Sequence, residues 1–94
     1  MLLQDVKVAL RVSNNAFDEE VQDLIESARL DLIQSGVDSE IAESDDPLIK
    51  RAIIYYAKAN FGLDNPNAER FQESFNLLKR HLSLAGDYNG SAVE

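Results

Sequence analysis

Cysteine is absent from this 94-residue chain, and histidine occurs once. The first absence excludes a disulfide framework, a thiol nucleophile and any cysteine metal site. With a single histidine there is no zinc set of the usual kind. No apolar run approaches the roughly eighteen residues of a membrane-spanning helix. No basic region followed by an apolar run opens the sequence, so no secretory signal is expected. Glycine occurs four times and proline twice, without a glycine-rich phosphate loop or a low-complexity tract. The apolar fraction of 45% is globular and excludes a wholly disordered acidic tail. The length gives room for one domain.

Bases are scarce as well. Nine Lys and Arg stand against seventeen Asp and Glu, a formal net charge of -8. Asp18 to Asp46 holds eleven acids and one base, Arg29, so this segment alone carries -10. A field of that sign disfavours a phosphate backbone and suits a basic partner surface or a neighbouring copy that offers Lys and Arg.

Periodicity predicts an all-α fold, a small bundle of four helices over about 3–12, 17–35, 47–61 and 66–85, with a flexible tail over 87–94. In the first, Leu3, Val6 and Leu10 recur at helical spacing, and Ser13-Asn14-Asn15 breaks the run. The second opens on Asp18-Glu19-Glu20 and buries Val21, Leu24, Ile25, Ala28 and Leu32, with Gly36 as its C-cap. Residues 38–46 read as an acidic loop interrupted only by Ile41 and Ala42. Asp46-Pro47 is a cap-and-proline start for the third helix. Ile53 to Tyr56 leave that helix almost no polar side, which reads as a central helix surrounded by others. A buried strand is the competing reading of those four residues, against which the alanines at 52, 57 and 59 argue. Asn65-Pro66 repeats the cap-and-proline start, and Ala68, Phe71, Phe75, Leu78, Leu82 and Ala85 form the stripe of the fourth helix, which Gly86 stops. The domain is expected to be 1–86.

Several residues lie outside these stripes. Leu30, Ile33 and Ile54 are apolar positions beyond what a single buried face needs, and suggest burial against another subunit. Tyr55 adjoins Tyr56, so the two cannot both face one core; one is left for a partner, where tyrosine is favoured. Lys50 and Arg51 form a basic pair suited to an acidic surface, within one chain or head to tail between copies. Asp38, Glu40, Glu43 and Asp45 are the acids of the loop. His81 has no triad partner at readable spacing, since Ser83 points elsewhere on a helix, and is read as a structural or subunit-contact residue. These residues are the expected subunit or partner interface. No catalytic, cofactor or metal residue is expected, and no calcium-loop spacing is present.

The chain resembles the small head-tail connector proteins of tailed bacteriophages and prophages, also described as head-completion, adaptor or DNA-packaging proteins. The resemblance lies in Leu2-Leu3-Gln4-Asp5-Val6-Lys7-Val8-Ala9-Leu10-Arg11-Val12, then in Asp18-Glu19-Glu20 and Leu24-Ile25-Glu26-Ser27-Ala28-Arg29. It continues in Asp46-Pro47-Leu48-Ile49-Lys50-Arg51-Ala52-Ile53 with the pair Tyr55-Tyr56. Order and spacing carry it over roughly residues 1–85. It implies a non-enzymatic helical subunit without cofactors, acting at the head-tail interface of the virion after assembly in the host cytoplasm. Its copies would form a homo-oligomeric ring, dodecameric in the virion, under the portal protein. DNA would pass through the channel without specific binding, no membrane would be involved, and the next connector or tail-completion protein would dock on the ring. The stretch between the second and third helices is shorter than in members with a long loop there, which argues against a large loop-mediated contact. The alternatives are a small acidic regulatory protein that binds a basic protein partner and, less favoured by the charge, a helical nucleic-acid binder using Lys50-Arg51.

Overall fold

Aspartate caps start two of the helices in the computed structural model, which describes residues 2–62 and 65–90. Six helices occur among them: α1 (Leu2–Leu10), α2 (Asp18–Gln34), α3 (Ser39–Ala42), α4 (Pro47–Asn60), α5 (Ala68–Leu84) and α6 (Gly86–Asn89). The fold is all-α, but the expectation of four helices is corrected to six, of which α1, α2, α4 and α5 are long. The two additions are single turns in segments that the sequence marks as acidic loop and flexible tail.

Each short helix has a tertiary anchor. Asp38 caps α3, its carboxylate accepting from the backbone N–H of Glu40 and Ile41. Ala42 is fully buried. The Arg29 Nε donates to the Ala42 carbonyl at 3.2 Å and Nη2 to that of Glu43 at 3.4 Å. The one base of the acidic segment thus satisfies the C-terminal carbonyls of α3. In α6 the Tyr88 carbonyl accepts from the Asp38 N–H at 2.8 Å, and the Tyr88 hydroxyl reaches Asp46. Residues 87–89 therefore belong to the folded body; residues 91–94 of the expected tail lie outside the described residues.

The ends of the long helices obey local rules. Asp46 Oδ1 accepts from Leu48 N–H at 2.8 Å and Ile49 N–H at 3.3 Å, with Pro47 as first helical residue. α5 starts at Ala68, later than the Asn65-Pro66 start expected from sequence. The Asn65 side chain is used instead to bond Lys58 O and to accept from Asn67 N–H, forming the turn before the helix. α2 ends in a Schellman motif: Val37 N–H bonds Leu32 O, Gly36 N–H bonds Ile33 O, and Gly36 sits at φ 115°. α1 ends the same way, with Val12 N–H on Lys7 O and Arg11 N–H on Val8 O. Its left-handed residue is Arg11, at φ 62°.

α4 packs on α5, α2 and α1, while α3 lies on α2 and α6 on α5. The core joins Val6 of α1, Val21, Ile25, Ala28 and Leu32 of α2, and Ile49, Ala52, Ile53 and Ala57 of α4 to Phe75 and Leu82 of α5, all at most 1% exposed. Full burial of each large apolar side chain contributes about 1.5–3 kcal/mol. Tyr56 meets Phe75 edge-on, with ring centroids 5.2 Å apart. Lys7 is buried among these elements, its Nζ 2.6 Å from Asp18 Oδ1 and 3.1 Å from Asn15 Oδ1. That carboxylate oxygen is sealed from solvent and has no other partner, so the ion pair fixes the end of α1 to the start of α2. Ile53–Tyr56 are helical, not a strand. The expectation of a surrounded central helix is met on one side only: Ile54 and Tyr55 are half-buried, and Arg51 is exposed.

Candidate functional site

Helical geometry turns each residue by about 100° from the one before it. On α4, Ile49 is fully buried, and Arg51, two residues on, is rotated by about 200° to the opposite side. Pro47, Lys50, Arg51, Ile54 and Tyr55 line one open depression there. Four residues singled out by sequence, Lys50, Arg51, Ile54 and Tyr55, are thus brought together. Lys50 Nζ lies 2.9 Å from Asp5 Oδ2 of α1. The hydrogen bond from Lys50, and then its charge, hold the Asp5 carboxyl below its ordinary value. No ion pair or hydrogen bond engages the Arg51 guanidinium among the described residues.

α2 repeats the geometry. Ala28 is fully buried, and Leu30, two residues on, is 58% exposed. Glu26, Arg29, Leu30 and Ile33 of α2 line a second depression with Glu43, which follows α3. This brings together Leu30, Ile33 and Glu43 of the expected interface. Ile33 is half-buried and packs against the core, whereas Leu30 projects outward. Arg29 is held by the carbonyls of α3, which leaves the Glu26 and Glu43 carboxylates at the surface.

The other expected positions lie elsewhere. Asp38 is engaged as the cap of α3 and sits beneath α6. Glu40 and Asp45 are exposed but line neither depression. His81 is exposed on α5, between Leu77 and Leu84, which are 68% and 75% exposed. Sequence reasoning singled out neither of these leucines as interface residues, nor Glu26, Arg29 and Pro47. Glu26 is four residues from Leu30, Arg29 four from Ile33, and Pro47 four from Arg51, so the helical repeat was the signal that would have found them.

Both depressions are shallow, and each combines apolar surface with charge. Neither converges a nucleophile on a base. No group of three or more His, Asp or Glu able to hold a metal ion occurs among the described residues. No helix there is long and apolar enough to cross a membrane. The arrangement is suited to contact between macromolecules. A family model described as phage connector protein matches residues 2–89. No curated protein and no solved structure gives a significant match.

Proposed function

The chain belongs to the phage connector protein family, and from that premise we propose that it is a ring subunit that docks under the portal, continues the DNA channel and joins the head to the tail-completion proteins. The observation that carries this reading is the match itself, which runs through every helix from α1 to α6. Connector proteins are structural, so the chain is not an enzyme.

The fold supports the finer reading in two ways. Leu30, Ile54 and Tyr55 present apolar surface on outward helix faces, and neighbouring subunits of a ring bury such surface. The net charge of -8 disfavours phosphate overall, which suits a ring through which DNA slides without sticking. The working site is the head-tail interface of the virion, after assembly in the host cytoplasm.

The test is negative-stain microscopy of the concentrated protein, alone and with purified portal rings, together with co-sedimentation on the portal. Rings, or a collar added to the portal, are the expected result. A monomer that neither self-associates nor binds the portal overturns the reading. Selective capture of a basic protein by such a monomer favours the regulatory alternative.

A further inference from the structure

Two outward surfaces of opposite charge lie on helices that pack directly against each other. α2 and α4 meet through their buried faces. Leu30 and Arg51 each lie two residues, about 200°, beyond a fully buried position. The α2 surface and the α4 surface therefore each point outward from the shared core, as two separate surfaces of the subunit.

Their chemistry is complementary. On α4, Lys50 is offset by Asp5, which leaves Arg51 beside Ile54 and Tyr55. On the α2–α3 side, Arg29 is tied to backbone carbonyls, and the two acids Glu26 and Glu43 outnumber that one base beside Leu30, a net negative charge. One surface is apolar with a net positive charge; the other is apolar with a net negative charge.

We infer that these two surfaces mate between copies, the Arg51–Ile54–Tyr55 surface of one subunit receiving the Leu30–Glu26–Glu43 surface of the next. This rests on the ring reading and adds its pairing and polarity. A contact of like surfaces would set Arg51 against Arg51, or the Glu26 and Glu43 carboxylates against each other, and like-charge juxtaposition is unfavourable. The mixed contact removes that repulsion. Because it joins two different surfaces, each copy keeps one free surface after pairing, and the chain of contacts closes into a ring when the rotation permits.

The test is a charge swap read by sedimentation velocity, alone and with portal rings. Arg51, Glu26 and Glu43 are all exposed, and circular dichroism checks that each variant keeps its helices. Arg51→Glu alone, and Glu26→Arg with Glu43→Arg, should each weaken assembly by at least about tenfold. Mixing the two variants should restore large assemblies, since every contact in the mixture then pairs opposite charges. The triple variant in one chain should restore them as well. Wild-type assembly with no response to the reversals, or a mixture that fails to recover or stops at dimers, overturns the pairing while the ring reading stands. A wild-type protein that stays monomeric with and without the portal overturns both.

Discussion

The Tyr88 hydroxyl lies 3.1 Å from Asp46 Oδ1 and 3.0 Å from Oδ2, joining α6 to the residue that caps α4. One carboxylate thus ties together two elements that are distant in sequence. Tyr88→Phe removes the hydroxyl and keeps the ring, and should lower stability by about 1 kcal/mol. Asp46→Ala removes the cap as well and should cost about 1–3 kcal/mol. Urea denaturation measures both. Hydrogen exchange should show Tyr88→Phe opening α6 before the rest of the molecule; uniform loss of protection would contradict a localised clasp.

The same pair predicts an alkaline transition. Partial burial, and then the hydrogen bond to Asp46, raise the Tyr88 pKa above the ordinary 10.0. The phenol therefore binds its proton more tightly in the folded chain than in the unfolded one. Its contribution to stability is fully present below the unfolded value and is lost as pH rises through the raised folded value. Tyrosinate absorbance should show one late-titrating tyrosine that Tyr88→Phe removes. Asp5 gives the opposite sign: its lowered pKa contributes stability above the ordinary 3.8 that is lost as pH falls through the folded value. Carboxyl NMR should show that Lys50→Met moves the Asp5 titration upward.

Arg11 occupies the left-handed end of α1 that Gly36 occupies in α2. The left-handed conformation costs a non-glycine residue roughly 1–2 kcal/mol, and glycine's greater unfolded-state entropy returns part of that. Arg11→Gly should therefore raise stability by about 0.5–1 kcal/mol. Gly36→Ala should lower it by about 1–2 kcal/mol. Its added Cβ would sit 3.6 Å from Ser83 Cβ, an ordinary contact, so the loss would come from the backbone. Urea midpoints that move in the same direction for the two variants would contradict this account.

Ile53 and Ile54 are adjacent and should report on different things. Ile53 is fully buried, so Ile53→Ala should cost about 2–5 kcal/mol. Ile54 is half-buried, with one side packed against the core and the other lining the outward depression. Ile54→Ala should therefore cost less, about 1–2 kcal/mol in the monomer, while weakening assembly. Leu30→Asp should likewise spare the fold and block assembly. Ile33→Asp should damage both, because Ile33 packs against the core. Thermal unfolding and sedimentation of the four variants separate the two effects.

The four long helices were legible because their apolar repeat and their caps are local. Asp46-Pro47 starts α4 and Gly36 ends α2 through contacts with neighbouring residues. The off-stripe positions Leu30, Ile54 and Tyr55 were legible for the same reason: a helix fixes which side chains share a face. α3 and α6 were not. A single helical turn is unstable alone, since nucleation fixes several residues for one hydrogen bond. What holds these two turns is Arg29 on the Ala42 carbonyl and Tyr88 on Asp46, partners distant in sequence. Nor did the sequence show that Leu30 and Arg51 lie on two separate outward surfaces, one joined by Glu43 from beyond α3. By itself it determined helix, stripe and charge. Only the packing of the helices on one another decided which charged faces point outward, because that orientation depends on contacts between helices.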